Sequence, residues 1–425
     1  QGHWSYFIRR MDKKHCVKLS VQPSRALVDE KFIVLVQNAP PGFQMTIHSL
    51  HHSEDGHSWE AFGHYTADAT GTVNVSQDHS VGGTYSGVEP MGLLWSLRPV
   101  PGSKSWLRFR KMNVETPMEV TISVYQGHQT VFVDQVQLAS VVAERWYMAP
   151  GVRRIPVTES DLTATLFLPP GPGPFPGVLD LWGGAGQLVE YRSALLASHG
   201  FASLALDYLT AKITLKTGKM VENDYFETAY KFLQEHPQVS GSRIAMMGLS
   251  FGTAMTLKMA VYSEVMKLSC AVCISGIDLL SITKVKMLEN AAIYRDLLLP
   301  IPTDPGMKVD VGRLQCPLLL IVGEDDQNWA APEFAQDEMM EQAGNSHLLT
   351  LLSYPNTGHL IEPPYSPHTR AGIINVSCFC TVVVLWGGET MAHSCAQEDA
   401  WRKTLAFLWE NLYDRKNSAM KAGSH

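Results

Sequence analysis

The chain has 425 residues, 45% of them hydrophobic and 18% charged, with a formal net charge of −7 at pH 7. That length suits two domains, and the composition is that of a globular chain with an ample core, which excludes a mainly disordered protein. The negative balance argues against nucleic acid as the main partner, while leaving room for a small polyanionic ligand at a local basic patch.

In chain order, residues 1–145 are organised in short alternating runs. Val17-Lys18-Leu19-Ser20-Val21, Phe32-Ile33-Val34-Leu35-Val36, Met45-Thr46-Ile47-His48-Ser49-Leu50 and Val120-Thr121-Ile122-Ser123-Val124-Tyr125 are examples. Turn clusters such as Pro40-Pro41-Gly42 and Asp68-Ala69-Thr70-Gly71 separate them. Period-two runs at this spacing predict an N-terminal antiparallel β-sandwich. From residue 146 strands alternate with helices. Leu162-Thr163-Ala164-Thr165-Leu166-Phe167-Leu168 and Val178-Leu179-Asp180-Leu181-Trp182 read as strands, residues 191–199 as a helix, Phe201-Ala202-Ser203-Leu204-Ala205-Leu206 as a strand and residues 223–236 as an amphipathic helix. Residues 398–412 read as a last helix. This alternation predicts an α/β fold with a mostly parallel, doubly wound sheet over residues 146–425.

Chemistry enters at Gly248-Leu249-Ser250-Phe251-Gly252. The apolar run Ile244-Ala245-Met246-Met247 precedes it and a helical pattern follows. G-x-S-x-G between strand and helix is a nucleophile elbow, a serine on a strained turn with small neighbours so that the helix packs closely behind it. A serine hydroxyl is a weak nucleophile at neutral pH and needs a base, which an acid must orient. Downstream, the buried strand Cys316-Pro317-Leu318-Leu319-Leu320-Ile321-Val322 runs into Gly323-Glu324-Asp325-Asp326. An acid there lies at the carboxyl edge of the sheet, where open α/β folds place their sites. Asp325 and Asp326 compete for that role. Asp326 is preferred because it lies farther past the turn glycine, although spacing alone leaves both open. The next apolar run, His347-Leu348-Leu349-Thr350-Leu351-Leu352, leads to His359 on a glycine-containing loop. Serine, acid and histidine in that order predict a Ser-His-Asp hydrolase.

Such an enzyme needs donors for the developing oxyanion. The backbone N–H of Phe251 is one, and Gly183 and Gly184 in Trp182-Gly183-Gly184-Ala185-Gly186 lie on the loop that supplies the other. Seven Cys, an odd number without framework spacing, fit a reducing compartment. Cys270 and Cys273 form C-x-x-C inside an apolar run with no second pair at zinc spacing, and read as buried thiols, with Cys378 and Cys380 as packing residues. The richest apolar stretch, residues 373–386, falls short of the roughly 20 residues that a membrane span requires.

These residues resemble the type I acyl-CoA thioesterase and bile acid-CoA:amino acid N-acyltransferase family. The likeness covers nearly the whole chain. It rests on Gly87-Val88-Glu89-Pro90-Met91-Gly92-Leu93-Leu94-Trp95-Ser96-Leu97, Glu144-Arg145-Trp146-Tyr147-Met148-Ala149-Pro150-Gly151-Val152, Gly358-His359-Leu360-Ile361-Glu362-Pro363-Pro364-Tyr365 and Trp386-Gly387-Gly388-Glu389. The resemblance implies a β-sandwich followed by an α/β-hydrolase domain and an acyl-CoA substrate, and it favours Asp326 as the acid.

Within this family the conjugating members are typically built around Cys at the elbow, whereas this chain has Ser250. A cysteine acyl-enzyme is a thioester, readily attacked by an amine such as glycine or taurine. A serine acyl-enzyme is an oxygen ester, suited to attack by water that His359 activates. The reading is therefore fatty acyl-CoA hydrolysis to free acid and coenzyme A, without metal or cofactor. Bile acid-CoA:amino acid N-acyltransfer is the alternative, since Glu144-Arg145-Trp146-Tyr147 and Leu352-Ser353-Tyr354-Pro355 look closer to conjugating members. A non-catalytic scaffold with a relic triad is a third. Two segments depart from the family pattern: the stretch between Gly276 and Leu318 looks short, and residues 372–385 are unusually apolar. The expected partners are small molecules, with the chain a monomer or weak homo-oligomer. With no transit peptide and no SKL-type ending, the cytoplasm is the expected compartment, with mitochondria or peroxisomes as alternatives.

Overall fold

A computed structural model of the chain describes residues 16–104, 106–184, 187–209, 221–279, 294–297, 299–341, 344–377 and 380–413. Two compact units emerge, one of Gln1–Lys111, Glu115–Trp146 and Pro364–His368, the other of Met112–Val114, Tyr147–Pro363 and Thr369–His425.

The first unit holds β1 (Lys18–Gln22), β2 (Arg25–Leu27), β3 (Ile33–Gln37), β4 (Gln44–His52), β5 (Ser58–Thr66), β6 (Val73–Asn74), the one-turn helix α1 (Gly92–Trp95), β7 (Arg98–Pro99), β8 (Met118–Gln126) and β9 (Gln137–Trp146). They form a three-stranded sheet, β1-β3-β6, and a six-stranded sheet, β2-β9-β8-β4-β5-β7. Alternation along each strand sends every second side chain inward. Val21, Val34 and Val36 of one sheet thereby share a core with Met45, Ile47, Val120, Ile122 and Val124 of the other. Each such burial contributes about 1.5–3 kcal/mol. One pair departs from the antiparallel pattern: β2 runs parallel to β9, as a short edge strand. The outer face of β4 is buried too, and polar, with His48 paired to Glu60 at 3.1 Å.

The second unit is built on β10 (Arg153–Val157), β11 (Ala164–Leu168), β12 (Phe175–Leu181), β13 (Ala202–Leu206), β14 (Val239–Leu249), β15 (Cys270–Ile274), β16 (Leu318–Gly323) and β17 (Leu349–Tyr354). Their order is β10-β11-β13-β12-β14-β15-β16-β17. The six strands from β13 to β17 across the sheet are parallel, and β10 and β11 run antiparallel at one edge. The helices are α2 (Tyr191–Ser198), α3 (Asn223–Glu235), α4 (Phe251–Tyr262), α5 (Tyr294–Leu297), α6 (Ala331–Glu341) and α7 (Thr390–Leu412), and β18 (Ala371–Ser377) pairs with β19 (Cys380–Leu385) as a separate ribbon. The fold is α/β. Strands buried on both faces read as near-continuous apolar runs: β15 and β16 are unbroken, and β11 and β13 are interrupted only by the buried Thr165 and Ser203.

From β12 the chain passes to β13 on one side and to β14 on the other. That makes the carboxyl ends of β12 and β14 a topological switch point, where the crossovers diverge and leave a crevice. Residues 372–385, unusual in sequence, lie largely in the ribbon β18–β19. Helix α7 starts at Thr390, well before residue 398 where apolar periodicity begins. Its first turns carry His393, Ser394 and Gln397, polar residues that are nevertheless buried.

Candidate active site

Ser250 ends β14 and opens α4 with φ 55° and ψ −120°. A positive φ is strained for any residue with a Cβ and persists only when the surroundings enforce it. Here the Ser250 N–H donates to the Ile274 carbonyl of the neighbouring strand at 2.8 Å. Close packing behind the turn explains the flanking glycines. A Cβ on Gly248 would lie 2.3 Å from the Gly252 carbonyl oxygen, and one on Gly252 would lie 2.6 Å from that of Leu181. The strand, the turn and the helix can approach this closely only without those side chains.

Three residues predicted from sequence come together. His359 Nε2 lies 2.8 Å from Ser250 Oγ, and His359 Nδ1 lies 2.8 Å from Asp326 Oδ2. Asp326 is fully buried and His359 is 2% exposed. The other Asp326 oxygen, Oδ1, accepts the backbone N–H groups of Asn328 (2.9 Å) and Trp329 (2.8 Å). These bonds satisfy an otherwise costly buried carboxylate and leave Oδ2 for the imidazole. The Arg295 guanidinium of α5 donates to the Asp326 carbonyl at 2.7 Å. Trp329 stacks beside the His359 ring, with centroids 6.2 Å apart.

Asp325 points elsewhere. Its Oδ2 accepts the Gly388 N–H at 2.7 Å and its Oδ1 accepts from Gln327 Nε2 at 3.1 Å. Of the two adjacent acids, only Asp326 meets the histidine.

Phe251 is the first residue of α4, so its N–H belongs to the set of helix-start amides without an intrahelical acceptor. Gly183 approaches the serine closely: a Cβ built on it would be 3.3 Å from Ser250 Cβ and 3.9 Å from Oγ. Gly184 faces open space, with no heavy atom within 4 Å of a built Cβ. Ala185 and Gly186 lie outside the described residues. Tyr208 links the two sides of this loop region: its hydroxyl donates to the Trp182 carbonyl at 2.5 Å, and its ring lies parallel to that of Phe251 at 6.1 Å. Burial pushes the Tyr208 hydroxyl far above the usual phenol range, which keeps it a donor.

Sequence reasoning did not anticipate Trp329, Tyr208 or His393. The last is buried in the first turn of α7 and hydrogen-bonded to both neighbours of His359. A signal for the first existed in Asp326-Gln327-Asn328-Trp329, an acid followed by turn residues that an Asx-type loop would use. Cys270 and Cys273 are both buried within β15. Cys378, and the side chain of Cys380, fall outside what is described. Among the described residues no group of three or more His, Cys, Asp or Glu is disposed to hold a metal ion, and no helix is long and apolar enough to cross a membrane.

Two family descriptions match this chain. Residues 29–159 fit the acyl-CoA thioester hydrolase/BAAT N-terminal region, and residues 221–300 and 281–414 fit the BAAT/acyl-CoA thioester hydrolase C-terminal region. The chain is similar to mouse peroxisomal succinyl-coenzyme A thioesterase, 36% identical over 93% of this chain and 96% of that protein. It is likewise similar to mouse mitochondrial acyl-coenzyme A thioesterase 2, at 37% over 93% and 89%, and to human acyl-coenzyme A thioesterase 1, at 34% over 93% and 96%. Among solved structures it is similar to a dienelactone hydrolase-like promiscuous phosphotriesterase from metagenomic libraries, at 20% identity and a TM-score of 0.40 over 61% of this chain and 98% of that one. With matches over both regions and relatives aligned almost end to end, the chain belongs to the acyl-CoA thioester hydrolase/BAAT family.

Proposed function

We propose that the protein hydrolyses the thioester of fatty acyl-CoA, releasing a free fatty acid and coenzyme A, through Ser250, His359 and Asp326. The observation that carries this reading is the unbroken run of two 2.8 Å contacts from Ser250 Oγ through the His359 ring to Asp326. Ser250 Oγ attacks the thioester carbonyl while His359 Nε2 takes its proton. The tetrahedral oxyanion forms against the Phe251 N–H and the backbone at Gly183 and Gly184. Collapse breaks the carbon–sulfur bond, and the proton on His359 passes to the departing coenzyme A sulfur. Water then enters, gives a proton to His359 and attacks the serine ester. The second collapse returns that proton to Ser250 Oγ and releases the acid. Asp326 holds the imidazole with Nδ1–H toward itself and offsets the positive charge that develops on the ring. The steps draw on no metal or cofactor, and coenzyme A is part of the substrate.

The named activities of the relatives support a thioester substrate. Ser250 rather than Cys supports water as the acyl acceptor, because an oxygen ester is the poorer acyl donor to an amine. The test is covalent. An acyl phosphonate should label the wild-type protein at Ser250 and block coenzyme A release in step, and neither Ser250→Ala nor His359→Ala should label. Rapid coenzyme A release by a fully labelled enzyme would refute the assignment. We also propose residues 1–145 and 146–425 as the two domains, and the cytoplasm as the compartment, which imaging of the tagged full-length protein would check.

A further inference from the structure

His359 stands between two backbone groups that a single buried ring holds. His393, in the first turn of α7 and 1% exposed, accepts the Gly358 N–H on Nδ1 at 3.0 Å. On its other edge Nε2–H donates to the Leu360 carbonyl at 2.6 Å. A backbone amide only donates and a carbonyl only accepts, so one tautomer alone satisfies both contacts: the neutral ring carrying its proton on Nε2. Imidazole is the side chain that offers an acceptor and an N–H donor on one rigid ring. The residues before and after His359 are therefore stapled to α7, while the His359 N–H itself donates to the Trp386 carbonyl at 2.8 Å. Helix α7 in turn packs on β14, β15 and β16. β14 leads into Ser250 and β16 into the Asp326 loop. The helix that grips the histidine loop thus rests on the strands that carry its two partners.

We propose that His393 is a positioning residue for the thioester reaction, setting the place of the His359 imidazole between Ser250 Oγ and Asp326; this rests on the triad reading above. The backbone here has little freedom to compensate. A Cβ on Gly358 would lie 2.4 Å from the Gly387 carbonyl oxygen and 2.5 Å from that of Trp386. A small change in the staple is passed to the ring, and misplacement of a reacting group by a fraction of a bond length is costly in turnover. A helix-capping or packing role alone would lower stability and leave turnover in the folded enzyme untouched.

Two full-length variants divide the staple. His393→Gln puts an amide N–H near the Nε2 position and loses the acceptor for Gly358, and His393→Asn keeps an acceptor near Nδ1 and loses the donor to Leu360. In His393→Gln we expect kcat for acyl-CoA to fall about 10- to 100-fold with KM within about twofold of wild type, and a smaller fall in His393→Asn. The low-field proton resonance of the His359–Asp326 hydrogen bond should shift or broaden in His393→Gln. A folded His393→Gln enzyme with wild-type kcat, or with lowered kcat and an unmoved resonance, overturns the proposal. If neither variant folds, the wild type decides: a nitrogen–nitrogen coupling across the Gly358 N–H and His393 Nδ1 supports it, and absence of that coupling overturns it. Failure of the triad reading shows on a different protein, as undiminished hydrolysis by Ser250→Ala, so the two are separable.

Discussion

Asp325 and Asp326 are neighbours in sequence with opposite surroundings. Asp326 is fully buried, tied to two backbone amides and to His359, whereas Asp325 has 37% of its side chain exposed and serves the Gly388 loop. Asp326→Asn should lower kcat by about 10⁴, because an amide in that place favours the wrong imidazole tautomer. Asp325→Asn keeps an oxygen to accept the Gly388 N–H and should stay within about tenfold of wild type in the same assay. The reverse ranking would show the acid to be misassigned. Gly248→Ala is the second residue-scale test. Its Cβ would meet backbone atoms of Gly252 at 2.3 and 2.4 Å, which flexible side chains cannot relieve, so the denaturation midpoint should fall by an amount worth about 1–3 kcal/mol or more. Both residues were legible in sequence as members of a motif. The choice between Asp325 and Asp326 was not, since it depends on which way a loop turns over the sheet edge.

At the scale of elements, the strands were legible wherever burial imposes a pattern: β1, β3, β4 and β8 by alternation, β15 and β16 as unbroken apolar runs, and β13 as an apolar run interrupted only by Ser203. The start of α7 was hidden because its first turns bury polar residues against the His359 loop instead of showing an apolar stripe. Helix α2 carries a comparable polar feature. Arg192 bonds Asp180 through Nε at 2.8 Å and Nη2 at 2.5 Å, and Ser193 Oγ donates to the same carboxylate at 2.8 Å. Both ions are buried. Arg192→Leu strands the Asp180 charge and should cost about 3–5 kcal/mol in chemical denaturation. The far end of the sheet supplies a pH test. Burial raises the Asp399 carboxyl, but hydrogen bonds from Lys403, Tyr354 and Arg402 outweigh it and hold the group down at about 2. A depressed carboxylate stabilises the fold above its unfolded value of about 3.9, and this contribution is lost as pH falls through the folded value. Wild type should therefore lose stability more steeply than Asp399→Asn between about pH 4 and about pH 2; equal slopes would contradict the assignment.

At the scale of the whole molecule, composition and rhythm made the two-part organisation legible, and the family likeness extended it. What they could not reveal is that the units interleave in sequence, with Met112–Val114 counted in the second and Pro364–His368 in the first. Segments this short have no periodicity, and their placement is decided by contacts made across hundreds of residues. Tyr365 is the clearest instance, 6% exposed within the sandwich core. Tyr365→Ala should destabilise the first unit by about 3–5 kcal/mol, by analogy with truncation of other buried aromatics, read as a lowered sandwich transition in calorimetry. What the enzyme does with the acyl group is the decisive question. Its most direct test is to supply fatty acyl-CoA and choloyl-CoA separately, with and without taurine, and to quantify coenzyme A, free acid and conjugate together. Fatty acid should match the coenzyme A released from fatty acyl-CoA whether or not taurine is present, and Ser250→Ala should abolish both; a taurine conjugate as the main product would overturn hydrolysis as the activity.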